Sequence, residues 1–254
     1  MKKIQDCCVK QIKHLNEDTC IIELSMNEIP EKIEAGNFAE IRIDNTSEIF
    51  LRRPFSVFNV NYEAQTISFF IKNIGKGTNL LSKLEEGETL NIIYPLGNSF
   101  SEIKNGKTLI IGGGSGIAPL ILLGESLKKR GSEIIYLLGA RSKNDIHLVD
   151  EFKKHGKVLI ITEDGSLGEK GRVTDHSIWK NVSNFQNIYT CGPNPMMKAI
   201  GDIAIANNIN CEISLENTMA CGFGACLCCV TETTEGNKCV CTEGPVFNVK
   251  DLKW

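Results

Sequence analysis

The stretch Cys221-Gly-Phe-Gly-Ala-Cys226-Leu-Cys-Cys229, followed past a short gap by Cys241, constrains this chain more than any other feature. Eleven cysteines are present, and six of them lie between Cys221 and Cys241. An odd total, with six crowded at one end of a 254-residue chain, is unlike the even spread of a secreted disulfide scaffold, and points to metal ligation. C-x4-C-x2-C with a distant fourth cysteine is the spacing that holds a [2Fe–2S] cluster. Three ligands must then come from one loop wrapped over the cluster, and the fourth from elsewhere. Gly222 and Gly224 allow such a loop unusual backbone angles and bring N–H groups close to the sulfurs. A centre of this kind moves electrons singly, so this end reads as part of an electron path. Structural zinc is the rival reading. Four-cysteine zinc sites usually use two C-x2-C pairs, which fits Cys226 and Cys229 but leaves Cys221 unused.

The length suits two ordinary domains plus a small appendage, and a 42% hydrophobic content allows a sizeable core. A net charge of −3 argues against a nucleic-acid partner. No apolar run is long enough to cross a bilayer, and Met1-Lys-Lys leads into polar residues rather than a signal-peptide core. The expectation is a cytoplasmic protein with no membrane partner.

Residues 1–101 read as a six-stranded antiparallel barrel, with strands over 9–15, 20–25, 38–44, 55–60, 66–72 and 89–94 separated by turn-forming residues. Near Lys104 the pattern changes. Strands over 108–112, 133–138, 158–162 and 187–190 alternate with helical stretches over 118–130, 147–154 and 195–207. That alternation predicts a parallel-sheet α/β domain over 102–211. Residues 212–254 read as a small, loop-like, cysteine-rich domain that needs a cluster or a docked neighbour to hold it.

Gly112-Gly-Gly-Ser-Gly-Ile-Ala-Pro119 sits where a strand hands over to a helix, a natural seat for phosphate. Gly112, Gly113, Gly114 and Gly116 let a backbone approach a pyrophosphate, although a tight packing turn uses the same residues. Position 117 is Ile, so the spacing departs from the ordinary dinucleotide fingerprint. Cys191-Gly192-Pro193 follows the fourth strand of this region and would line the same crevice. Cys191 reads equally as a buried core thiol. In the barrel, Arg53-Pro54-Phe55-Ser56 offers a two-pronged cation for pyrophosphate, a flat aromatic and a hydroxyl for a flavin ring. Gly75-Lys-Gly77-Thr78 offers a second phosphate edge. Each string is weak alone; their order along the chain carries the weight. The histidines His14, His147, His155 and His176 read as surface groups.

This order resembles the ferredoxin–NADP reductase superfamily, in which a barrel binds FAD and an α/β domain binds a nicotinamide dinucleotide. The tail, Ser214-Leu-Glu-Asn-Thr-Met-Ala-Cys-Gly-Phe-Gly-Ala-Cys226 with Val240-Cys-Thr-Glu-Gly-Pro-Val-Phe247, resembles the electron-transfer subunits of class 1B dihydroorotate dehydrogenases over essentially the whole chain. The resemblance implies FAD held by Arg53, Pro54, Phe55, Ser56, Phe70, Ile71, Lys72, Gly77 and Thr78, and a [2Fe–2S] cluster on Cys221, Cys226, Cys229 and Cys241. It implies an FMN-containing catalytic partner that oxidises dihydroorotate to orotate in pyrimidine biosynthesis, in a heterotetramer of two of each subunit. It further implies electrons passing from that FMN through the cluster and FAD to NAD⁺, with no acid–base catalyst on this chain.

Two residues depart from the family pattern. Cys228 stands where Gly is usual, and Cys239 competes with Cys241 for the fourth place. The family's fourth ligand precedes a Gly-Pro-Val-Phe string, as Cys241 does. Arg141 and Ser142 after the second α/β strand suit a 2′-phosphate or a plain solvated strand end, while the resemblance favours NAD. A rival with the same cofactors is the iron–sulfur flavoprotein subunit of an NADH-dependent ferredoxin:NADP reductase or a sulfide dehydrogenase. Trp254 suits either packing on the cofactor region or a frayed end.

Overall fold

A computed structural model describes residues 2–44 and 46–254; Met1 and Asn45 lie outside the described residues. Strands β1 (Lys3–His14), β2 (Thr19–Ser25), β3 (Phe38–Ile41), β4 (Arg53–Asn61) and β5 (Thr66–Lys72) are followed by the short helix α1 (Lys76–Leu81) and β6 (Thr89–Leu96). The six strands close into an antiparallel barrel in the order β1-β2-β5-β4-β3-β6. Period-two alternation turns Ile22, Leu24, Ile41, Phe69, Ile71 and Ile92 into a sealed interior, and burial of each stabilises the fold by about 1.5–3 kcal/mol.

The second layer begins with β7 (Lys107–Gly113), α2 (Leu120–Lys129), β8 (Glu133–Ala140), α3 (Val149–Lys153), β9 (Lys157–Thr162) and β10 (Glu169–Lys170). It continues with β11 (Asn187–Cys191), α4 (Asn194–Ala206) and β12 (Asn210–Ser214). The near-continuous apolar run of β7 is buried because both faces of the sheet are covered. The tail adds the hairpin β13 (Val230–Thr233) and β14 (Gly236–Cys239), the turn of helix α5 (Val240–Glu243), and β15 (Val246–Asn248).

Sheet order is β10-β9-β8-β7-β11-β12-β15, parallel except for the antiparallel edge pair β12/β15. From β7 the chain winds one way through β8, β9 and β10, then crosses to β11 and β12 on the other side. The reversal lies between β7 and β11, where open α/β sheets bind ligands beyond the strand ends. The tail is more structured than its composition predicts. β12 runs across residues 211 and 212, and β15 returns to extend the same sheet.

Two shared cores lock the layers together. Phe58 and Phe70 of the barrel pack with Ile117, Ala118 and Ile121 around the Gly-rich turn and α2. Phe38 and Leu96 pack with Ile213 and Leu215 of the sheet and with Cys229, Val240 and Cys241 of the tail. Asn98, just past β6, clamps the tail: its Nδ2 donates to the carbonyls of Glu243 (2.8 Å) and Val246 (2.9 Å), and its Oδ1 accepts from Val246 N–H (2.9 Å). Asn98→Ala should therefore cost about 1–3 kcal/mol. Urea unfolding of the isolated chain measures this, and an unchanged midpoint would show that the clamp is not needed.

The histidine expectation needs correcting. Only His14 is exposed. His176 is 6% exposed, because its Nδ1 accepts the Ile178 N–H at 2.9 Å and so caps a short turn of helix. His147 is half-buried against Phe70 and Asn16 at the joint between barrel and sheet.

Candidate functional site

The flavin-type residues surround a gap in the barrel wall. β4 pairs with β3 through Arg53–Ser56, but its pairing with β5 begins only at Val57 opposite Phe69. Arg53 to Ser56 on one side and Phe70 to Lys72 on the other therefore face each other without a ladder between them. Arg53, Pro54, Phe55 and Ser56 are all half-buried. Gly77 lies against Arg53, since a Cβ built there would stand 3.6 Å from the Arg53 Nε. The barrel string and the second phosphate edge, distant in sequence, thus meet. Arg53 Nη1 donates to the Leu51 carbonyl at 2.8 Å, which holds the guanidinium over this edge.

Not every expected residue offers its side chain. Phe70 and Ile71 are buried in the shared and interior cores, so only their backbone faces the gap. The Thr78 hydroxyl is occupied, accepting from the N–H groups of Ile74 (2.9 Å) and Gly75 (3.1 Å). Lys72 reaches Asp145 (3.5 Å) and Asp18 (3.7 Å), bridging barrel and sheet.

At the sheet reversal the two nicotinamide-type strings are packed together. Cys191 pairs with Gly112 across β11 and β7. A Cβ on Gly116 would overlap the backbone of Cys191 and Gly192, and one on Gly192 (φ +155°) would lie 2.6 Å from the Met196 Cε. Only a glycine at 116 lets the turn after β7 rest on the end of β11. Gly114 (φ +58°) faces open space and serves the turn by its left-handed backbone. Ser142 is engaged within its own turn, donating to Asp145 at 3.1 Å and accepting from Asn144 N–H at 3.3 Å, so its hydroxyl is not free for a 2′-phosphate.

Sequence reasoning missed two acids here. Glu216 keeps solvent access yet is flanked closely by protein, and desolvation raises its carboxyl. The Cys191 thiol, fully buried and itself pushed up by that burial, points at the Glu216 Oε1 at 3.9 Å. Glu40, on β3, is 0% exposed, and burial pushes its carboxyl up to about 7 against the pull of Arg52. Glu216 sits within the tail string, which could have flagged it. Glu40 reads as an ordinary solvent-facing strand residue, and nothing local distinguishes it.

The tail thiols fall into two pairs. Cys221 lies beside Cys226, and Cys229 beside Cys241. Backbone N–H groups aim at the sulfurs: Cys228 at Cys226 (3.5 Å), and Cys241 at Cys229 (3.4 Å). Burial opposes ionisation of Cys221, but the N–H groups of Phe223, Cys226 and Ala225 outweigh it and bring the thiol down to about 6. Burial, and next the neighbouring Cys229 thiol, push Cys241 up to about 12. Among the described residues no three His, Cys, Asp or Glu side chains cluster around a single ion. Two pairs of thiols under converging N–H groups fit two irons better than one. Cys239 is half-buried with its N–H on Glu243, and Cys228 is exposed; neither belongs to a thiol pair. No helix among the described residues is long and apolar enough to cross a membrane.

Comparison with known proteins gives a consistent result. Residues 216–253 match the iron–sulfur cluster binding domain of dihydroorotate dehydrogenase B, and residues 110–202 match the oxidoreductase NAD-binding domain. The dihydroorotate dehydrogenase B (NAD(+)) electron transfer subunit of Fusobacterium nucleatum is 35% identical over 99% of both chains. That of Caldanaerobacter subterraneus is 39% identical over 91% of this chain and 92% of its own. A chain of the NADH-dependent reduced ferredoxin–NADP oxidoreductase, known for flavin-based electron bifurcation, superposes with a TM-score of 0.87 at 31% identity, covering 98% of this chain and 90% of that one. Matched from end to end by such relatives, the chain belongs to the family of dihydroorotate dehydrogenase B (NAD(+)) electron transfer subunits.

Proposed function

We propose that this chain is the electron-transfer subunit of an NAD⁺-dependent dihydroorotate dehydrogenase, drawing electrons from the FMN of a catalytic partner that oxidises dihydroorotate in pyrimidine biosynthesis. The observation that carries the reading is the adjacency of three sites. The flavin gap shares a core with the Gly-rich turn on one side and lies one strand from the cluster loop on the other. FAD, when bound, exchanges hydride with NAD and single electrons with an iron–sulfur cluster, which suits it to the middle position.

The residues divide the work of holding these groups. Cys221, Cys226, Cys229 and Cys241 would hold the [2Fe–2S] cluster. Arg53 pairs with the FAD pyrophosphate, Ser56 bonds the flavin ring and Phe55 shapes its face, while the backbone of Phe70 to Lys72 closes the opposite wall. Gly77 lets the α1 turn approach the phosphates. Gly112, Gly113, Gly114 and Gly116 present the turn to the NAD pyrophosphate. Gly192 and Pro193 leave room for the nicotinamide, and the buried Cys191 keeps water from that end. We assign 1–101 to FAD, 102–211 to NAD and 212–254 to the cluster. None of the eleven cysteines forms a disulfide, which suits the reducing cytoplasm.

Phe223 (51% exposed) and Leu227 (64%) stand out from the cluster loop. We place the catalytic subunit on this surface, in an assembly of two of each. Leu227→Glu should weaken association by about tenfold or more while leaving both cofactors bound. Analytical ultracentrifugation with absorbance at flavin wavelengths reads both; undiminished association would move the interface elsewhere.

Copurification tests the whole reading. Dihydroorotate-dependent NAD⁺ reduction should appear only when the neighbouring dehydrogenase subunit is present. The superposition with the NADH-dependent ferredoxin–NADP oxidoreductase chain favours a second reading, a subunit of that kind of enzyme. Recovery of a large flavoprotein carrying two iron–sulfur clusters, and no FMN subunit, would decide for it.

A further inference from the structure

Among the described residues, both carboxylate oxygens of Glu40 are buried without a hydrogen-bond partner. Leaving such a group unpaired is expensive, and an apolar residue would fill the position at lower cost, as Phe38 does two residues earlier on the same strand face. The neighbouring guanidinium does not relieve it. Arg52 Nη1 donates instead to the Glu40 carbonyl (3.3 Å) and to the Asn91 carbonyl (2.9 Å), and Nη2 goes to the Asn91 side chain.

The location is specific. Across the ladder Glu40 is opposite Pro54 of the flavin string. Its side chain leaves the barrel and meets the cluster loop at Gly222, where a Cβ would stand 2.5 Å from the Glu40 Cγ and 3.2 Å from Oε1. Gly222 has φ +74°, and the absence of a side chain there lets the loop close over the acid. One residue of one strand therefore separates the flavin string from the turn that begins at Cys221. Adjacent strands lie about 5 Å apart, so the acid stands directly between the flavin string and the cluster loop.

We propose that Glu40 is a tuning residue for the iron–sulfur centre: an acid sealed between the flavin and cluster sites whose ionised form holds down the centre's affinity for an electron. A charge in a water-excluded setting acts strongly on its neighbours. Net charge and solvent exposure around a cluster are among the levers that set its potential. Added negative charge disfavours a further electron, so the centre passes it on more readily toward the flavin. The inference rests on the cluster assignment above.

The test is a redox titration of the full chain with both cofactors bound, followed by electron paramagnetic resonance at pH 9, where carboxylates are ionised. Glu40→Gln, of equal size and neutral, should raise the midpoint of the cluster by about tenfold in the reduction equilibrium, or 59 mV for one electron. Glu40→Asp keeps the charge and should stay near the wild-type value. The proposal is overturned if neither variant moves the midpoint, if both move it alike, or if the Gln variant assembles no cluster, which would make the acid structural. A wild-type chain with no [2Fe–2S] signal would instead remove the cluster assignment itself.

Discussion

Cys241→Ser should yield a protein that retains FAD but lacks the visible absorbance and paramagnetic signal of a [2Fe–2S] centre. Cys239→Ser should keep both. The difference follows from where the fold puts two cysteines that are only two residues apart. Cys241 is 1% exposed, and its N–H meets the Cys229 sulfur at 3.4 Å. The preceding N–H, of Val240, bonds the Cys229 carbonyl at 3.2 Å, so α5 is pinned with Cys241 facing the loop. Cys239 ends β14 one turn too early, with its N–H taken by Glu243 at 2.8 Å. Losing a direct ligand exceeds the about 10–100-fold effect typical of the residues that merely support ligands. Dihydroorotate-dependent NAD⁺ reduction by the assembled enzyme should vanish, while NADH oxidation by an artificial acceptor, which needs only FAD, should survive. The reverse pattern, with the signal lost only on replacing Cys239, would remove the assignment of the fourth ligand.

Gly116→Val should disable the nicotinamide end selectively. The new side chain would collide with the backbone of Cys191 and Gly192, neither of which can yield as a flexible side chain does. Because β11 is paired on both sides, with β7 and β12, the strand end is fixed and the Gly-rich turn must move. Overpacking of this kind costs about 1–3 kcal/mol. The displaced turn should raise the KM for NADH by at least about tenfold, corresponding to 1.4 kcal/mol. Flavin and cluster spectra should be unchanged. Steady-state kinetics with an artificial acceptor measure the first, and an unaltered KM would show that this turn does not seat the dinucleotide.

The parts of the fold legible in the sequence are those set by local chemistry. Turn residues between β-rich runs delimit the barrel strands, and 66–72 emerges with its observed bounds in β5. The shift from period two to alternating strand and helix marks the start of the α/β region. Cysteine spacing marks out residues 221–229, which fall within the segment matched by the iron–sulfur cluster binding domain. Less legible were the features made by contacts between segments far apart. The return of β15 to the sheet depends on the clamp from Asn98, nearly 150 positions away in the chain. Lys72 stands beside the flavin string by register, but its ammonium is drawn to Asp18 and Asp145 across the domain joint. His176 is buried for the sake of one backbone N–H, a use that no local pattern announces.

By itself, the sequence determined which chemistries this protein can host: thiols spaced for iron and sulfide, glycines where a backbone must approach phosphate, and an Arg-Pro-Phe-Ser string at a strand's start. Covalent spacing and backbone freedom are properties of neighbouring residues, so they can be read without a fold. Tertiary structure alone decided how those chemistries are joined. It paired Cys241 rather than Cys239 with Cys229, seated the Gly-rich turn on Cys191, and sealed Glu40 under Gly222. These depend on which surfaces exclude water from one another, and that is settled only when the barrel, sheet and tail have packed.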